Sequence, residues 1–203
     1  MSASGWAGGS LEFGLTLTRP LPQTVLTLSA PLQIMWNDTD IPLAYLITFR
    51  CYGTWLHGDE RGSINRFNNQ YQSPYIPPNP NWQKHNENKL KGEIVNLDAK
   101  QRQSVEEAIH EVCNYRKWLL RAINVRTNHV HAVVSIGEAD SKRALNDFKA
   151  YSTRKMRENS CWNSHTSPWA DKGSRRSLWN EKSIELAVDY VINGQGNDLP
   201  KFD

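Results

Sequence analysis

The apolar and polar positions of the chain outline a short series of strands and helices. Ala44-Tyr45-Leu46-Ile47-Thr48-Phe49-Arg50 is rich in β-branched and aromatic residues and predicts a first strand. Residues 53–96 follow with Pro74, Pro77, Pro78, Pro80 and many Asn and Gln; without periodicity, they predict a long insertion. Asp98 is a candidate N-cap for a helix to about Tyr115, with Val105, Ala108, Ile109 and Val112 as its apolar stripe. Trp118–Val125 predicts a second strand, and Arg126-Thr127 joins it to a third over residues 128–136, so the two should form an antiparallel hairpin. Ser141 or Asp140 opens a second helix to about Asn159, burying Ala144, Leu145, Phe148 and Met156. After a loop containing Trp and Pro, Asn180 or Glu181 starts a third helix ending near Asn193. The order β-α-β-β-α predicts an α+β, ferredoxin-like antiparallel sheet with helices packed on it, completed by another strand.

Bulk properties narrow this picture. A chain of 203 residues suits one domain. Residues 1–41 lack periodicity and are expected to form a poorly ordered extension, with 42–195 as the working domain and 196–203 as a tail. Mean hydropathy is −0.65 and no long apolar run occurs, which argues against a membrane span. The stretch 11–36 carries Arg19, Pro20, Pro22 and Pro31 and makes a poor signal peptide. Cys51, Cys113 and Cys161 are odd in number and far apart, fitting a reducing, cytoplasmic setting better than a disulfide framework. The net charge is only +3, but Lys142–Lys182 holds ten cationic residues against four acidic ones. That excess suits a polyanion such as nucleic acid, although charge alone is better explained by a solvated helical face.

The candidate chemistry centres on Asn-His-Val-His-Ala-Val-Val, residues 128–134. Side chains alternate along a strand, so His129 and His131 share a face about 6–7 Å apart along the backbone. Val130, Ala132, Val134 and Ile136 then fill the opposite, core-facing side. Two such imidazoles can converge on one divalent cation, or can be ordinary half-exposed strand residues; the spacing alone does not decide.

Tyr151, three residues after Phe148, belongs at the edge of a buried stripe, with Lys149, Arg154, Lys155 and Arg157 on the same turns. It reads either as a phenol packed at a helix–sheet seam or as a nucleophile presented to a phosphodiester among cations. Tyr190 is the rival phenol; following Ala187 and Val188 without a basic cluster, it reads as core or DNA-contacting. Arg175 and Arg176 are candidate phosphate contacts. Trp55, Trp162, Trp169 and Trp179 could stack on unpaired bases or anchor their loops.

Three motifs in order carry a resemblance. The first strand runs into Tyr-Gly-Thr-Trp-Leu-His-Gly-Asp-Glu-Arg-Gly (52–62), the histidine strand follows, and then comes Phe-Lys-Ala-Tyr-Ser-Thr-Arg-Lys (148–155). With Ser-Leu-Trp-Asn-Glu (177–181) and Ala-Val-Asp-Tyr-Val (187–191), they resemble the single-tyrosine HUH transposases over roughly residues 42–193. The branch they look most like is that of the REP-associated tyrosine transposases.

The resemblance implies a transposase acting on single-stranded, hairpin-containing DNA. His129 and His131 would bind Mg²⁺ or Mn²⁺, and Tyr151 would attack the phosphate to give a 5′-phosphotyrosine and a free 3′-OH. Lys149, Arg154, Lys155, Arg175 and Arg176 would contact DNA. A cytoplasmic, nucleoid-associated enzyme is expected, and some relatives are homodimers. The family's third metal ligand often lies four residues after the tyrosine, where this chain has Lys155, and an ammonium cannot ligate a cation. His57, Asp59 and Glu60 are candidate substitutes. The same departure motivates a second reading, a DNA-binding protein that keeps the fold without the catalysis.

Overall fold

A computed structural model of the protein describes residues 40–63 and 76–196. All but the innermost residues of the expected N-terminal extension and C-terminal tail lie outside that range, as does 64–75 of the insertion. The elements are β1 (Ala44–Cys51), α1 (Pro80–Glu87), α2 (Ala99–Arg116), β2 (Leu119–Val125), β3 (His129–Ser135), α3 (Ser141–Glu158), β4 (Trp169–Leu178) and α4 (Glu181–Asn193). The four strands make one antiparallel sheet in the order β2-β3-β1-β4, the predicted ferredoxin-like arrangement with α4 added.

Local chemistry sets the boundaries. Asp98 caps α2 through a full capping box, its side chain accepting from Gln101 N while the Gln101 side chain accepts from Asp98 N. Asp140 and Asn180 cap α3 and α4 by accepting from Lys142 N and Ser183 N. Lys117, in the left-handed region at φ 58°, ends α2 and turns the chain into β2.

Strand register sorts the side chains onto two faces. Tyr45, Ile47, Phe49 and Cys51 of β1 join Val130, Ala132 and Val134 of β3 against Val105, Ile109 and Val112 of α2 and Leu145, Phe148 and Met156 of α3. This is the larger core, and each fully buried Phe or Ile in it contributes on the order of 1.5–3 kcal/mol. The other face is covered only in part. There α4 lays Ile184, Ala187 and Val191 on Ala44, Ala122, Val133 and Leu178. With both faces covered, β3 is buried at five consecutive positions.

Two elements escape the hydrophobic pattern. The segment Trp169-Ala-Asp-Lys-Gly-Ser-Arg-Arg-Ser-Leu178 reads as a polar loop, yet it forms edge strand β4, buried only at its two ends. Charged residues along an edge are compatible with pairing on one side and discourage pairing on the other. The helix α1 breaks into the insertion because Asn79 caps it and Pro80 occupies its first turn; it buries no residue, so no apolar stripe announces it.

Candidate functional site

His129 and His131 lie on the α4 face of the sheet, and their rings meet edge to face with centroids 4.7 Å apart. Their neighbours on that face follow from the register: Thr48 stands opposite His131 and Arg50 opposite His129 on β1, while Asn124 stands opposite His131 on β2. The Thr48 hydroxyl lies 2.7 Å from His131 Nδ1, fixing that ring. Asn124 Nδ2 donates to the Val191 carbonyl at 3.0 Å and ties the end of α4 to the sheet beside the histidines.

The phenol that meets this pair is Tyr190. Its ring centroid lies 5.4 Å from that of His131 in an edge-to-face contact, and the side chain is otherwise exposed. Gly194 ends α4 there, and a Cβ on it would come within 2.9 Å of the Tyr190 ring. Gln195 follows, its Nε2 donating to the Tyr190 carbonyl at 3.0 Å. With its NH₂ so engaged, the amide turns Oε1 toward His129 Nε2, 3.4 Å away.

Burial and charge together favour neutral imidazoles. Burial lowers the His131 pKa to about 4, assisted by repulsion from His129. His129 is also lowered, first by burial and then by Arg126, Arg61 and Arg50, against the Gln195 contact. A neutral imidazole has one N–H, yet His129 faces an amide oxygen at each nitrogen: Asn128 Oδ1 at 2.6 Å from Nδ1 and Gln195 Oε1 beyond Nε2. A proton on Nδ1, at the shorter contact, leaves two lone pairs opposed across 3.4 Å. Adjacent ligands of one octahedral cation stand roughly 3 Å apart, so the arrangement fits a shared divalent ion. Among the described residues no group of three His, Cys, Asp or Glu offers an alternative cation site.

The structure does not bring Tyr151 to the histidines. It lies on α3, which packs on the opposite face, and its side chain joins the larger core with the Arg154 guanidinium 4.4 Å from the ring centre. The reason is the helical stripe: Ala144, Leu145 and Phe148 commit α3 to the Val130 face, and Tyr151 goes with them. Its basic neighbours are committed there too. Lys149 Nζ donates to the carbonyls of Ala170, Asp171 and Lys172, anchoring the start of β4. Arg154 pairs with Glu111 and Glu158, and Lys155 with Glu111. Arg175 is paired with Ile47 and shares its α3 side, whereas Arg176 is paired with Leu46 on the histidine side.

The proposed substitute ligands fare no better. His57 stacks on Trp82, and Asp59 is held by Arg61 through two hydrogen bonds of 2.7 Å. Trp169 donates to the Lys149 carbonyl and Thr153, and Trp162 to the Thr166 carbonyl, so both anchor loops.

Sequence reasoning passed over Gln195, Thr48 and Arg50, and it ranked Tyr190, the phenol that meets the histidines, below Tyr151. A usable signal existed for Tyr190 and Gln195, because Tyr190 precedes a glutamine by five residues at the end of an amphipathic helix.

The chain's residues 89–193, from just after α1 to the end of α4, match the family described as "Transposase IS200 like". No curated protein matches the chain. Among solved structures it is similar to a REP-associated tyrosine transposase bound to a REP hairpin, at 14% identity and TM-score 0.42, covering 77% of this chain and 69% of that one. It is also similar to a candidate transposase from Deinococcus radiodurans R1, at 10% identity and TM-score 0.40, covering 79% of this chain and 97% of that one. Likenesses this distant carry no chemistry from one chain to another.

Proposed function

Because the chain belongs to the IS200-like transposase family, we propose that it cuts and rejoins single-stranded DNA with Tyr190, and not Tyr151, as the nucleophile. The observation that carries this reading is the contact between the Tyr190 and His131 rings on one face of the sheet. His129 and His131, with the Gln195 amide oxygen, would hold a divalent cation. Bound there, such an ion supplies Lewis-acid polarisation of a phosphoryl oxygen. Two imidazoles and one amide oxygen form a mixed nitrogen and oxygen set that suits Mn²⁺ better than the harder Mg²⁺.

The chain's own residues have separable tasks. Thr48 and Asn128 hold the two imidazoles in place through their Nδ1 atoms. Tyr190 presents its oxygen from the last turn of α4, whose position is fixed by the Asn124 bond to Val191. The phenol oxygen bonds to phosphorus as the P–O3′ bond breaks, leaving a 5′-phosphotyrosine and a 3′-oxygen that takes up a proton in place of the one the phenol gives to solvent. Attack by a 3′-hydroxyl reverses these changes and joins new ends. Since the bond is exchanged rather than hydrolysed, no nucleotide cofactor is required. Tyr190 meets its own chain's histidines, so the reaction runs in cis, whether the protein is monomeric or paired.

The family and the resemblance of the motifs support a substrate class of single-stranded DNA with a hairpin, of the kind handled by the REP-associated branch. The alternative of a binding protein without catalysis loses its motive, because Lys155 lies on the helix that does not face the histidines.

The test is covalent capture. Labelled hairpin single-stranded DNA with Mn²⁺ should yield a protein–DNA adduct in wild type and in Tyr151→Phe, and none in Tyr190→Phe. An adduct that survives in Tyr190→Phe and disappears in Tyr151→Phe would return the role to α3.

A further inference from the structure

A second arrangement of charge sits at the same end of the central strands and has no part in the chemistry above. Arg50, next to the last residue of β1, stands opposite His129, and the following loop folds back so that Trp55 and Arg61 come to it. Both guanidiniums approach the Trp55 ring, with Cζ 5.4 Å (Arg50) and 5.1 Å (Arg61) from its centre. The indole is pinned by its Nε1 donating to the Gly62 carbonyl at 2.6 Å, and Trp55 itself adopts φ 54°. A bulky residue held in the left-handed region is maintained only where its surroundings over-determine it. The surroundings here include α1: Gly58, at φ +96°, lies so close to Asn79 O and Gln83 N that a Cβ would meet them at 2.4 and 2.5 Å. His57 stacks on Trp82 of α1, and Asn86 of α1 donates to the His57 carbonyl. The loop is thus clamped from behind while its cations stand in front.

The two guanidiniums keep hydrogen-bond donors that no described residue takes. Asp59 takes the Arg61 Nε and Nη2, and the exposed Glu60 lies nearby. Among the described residues Arg50 has one hydrogen bond, from Nη1 to the Trp55 carbonyl, out of the five N–H groups a guanidinium offers. Arg126 adds a third cation near His129. Like charges gathered on one aromatic ring, with donors to spare, are the fork geometry that a phosphate oxygen pair accepts.

We propose that Arg50 and Arg61, held over Trp55 beside His129, form a clamp for one phosphodiester of the DNA strand flanking the phosphate that is cut. The ligand is the backbone and not a base, because the indole ring is approached by guanidiniums. The clamp fixes the strand's register relative to Tyr190. This rests on the reading of the site as one that handles single-stranded DNA.

The experiment is the salt dependence of binding of a fluorescein-labelled oligodeoxythymidine to the full chain, by fluorescence anisotropy. Each phosphate contact on single-stranded DNA contributes about 0.7 to the slope of log affinity against log salt. Arg61→Gln should lower the slope by about 0.7 and Arg61→Lys should restore most of it, a rescue that a purely structural arginine would not give. Arg50→Gln, with its fold checked by thermal melting, should behave like Arg61→Gln. Arg143→Gln, an exposed cation on α3 across the sheet, should leave the slope unchanged. An unaltered slope in Arg61→Gln, or an equal fall in Arg143→Gln, overturns the clamp while leaving the Tyr190 reaction standing. No binding by wild type even at low salt overturns the DNA reading of the whole site, and the clamp with it.

Discussion

The two faces of the sheet do opposite work. The face under α2 and α3 is closed by a continuous apolar layer, and its cations Arg116, Arg154 and Lys155 are paired with Asp147, Glu111 and Glu158 while Lys149 is spent on backbone carbonyls. The face under α4 carries a much smaller apolar cluster and then gives way to imidazoles, an amide, a hydroxyl, a phenol and guanidiniums. Each face offers a tyrosine on a helix, and only one of them is next to the histidines. The comparison teaches that a basic neighbourhood is a weaker guide to which phenol meets the histidines than the sheet face to which its helix is committed.

Four experiments sharpen or break that contrast. The largest effect is expected at the two phenols: Tyr190→Phe should lower strand-transfer rate by about 10³-fold or more, while Tyr151→Phe changes it little. Equal losses in the two variants would erase the distinction between the faces.

Next come the groups around the imidazoles. His131→Ala should reduce activity to that of EDTA-treated protein, and Gln195→Ala and Thr48→Val should each weaken Mn²⁺ binding about ten- to a hundredfold by calorimetry. Full Mn²⁺ affinity in Gln195→Ala would remove the amide from the ligand set.

Stability should show the opposite asymmetry. Phe148→Ala in the closed core should cost about 3–5 kcal/mol in denaturant unfolding, against near zero for Leu186→Ala on the exposed side of α4. Similar losses would mean that α4 packs more tightly than described.

The smallest effect is on pH dependence. His131 is held near 4 in the folded chain against 6.5 when unfolded, so between those values the unfolded state binds more protons. Stability of metal-free protein should therefore fall as pH drops from 6.5 toward 4, by at most about 3 kcal/mol from this group. His131→Gln should flatten that slope, and an unchanged slope would place the buried titration elsewhere.

Much of the fold was legible because periodicity and caps are local. Asp98, Asp140 and Asn180 mark three helices that begin where the caps predict. The alternation Val130, Ala132, Val134 against His129 and His131 told correctly which side of β3 is core. It was less legible where pairing does the stabilising: β4 has almost no apolar signal, and its backbone bonds to β1 make it a strand.

What the sequence by itself determined is every described element but α1 and β4, the shared face of the two imidazoles and the apolar side opposite them. It even held the fact that places Tyr151 away from the histidines, since Phe148 three residues earlier binds that helix to the valine side of β3. Only the tertiary structure decided which phenol meets the histidines, because that depends on α4 crossing to the far face after β4. No local pattern records such a crossing. It results from α4 burying Ile184, Ala187 and Val191 on the face that α2 and α3 leave open.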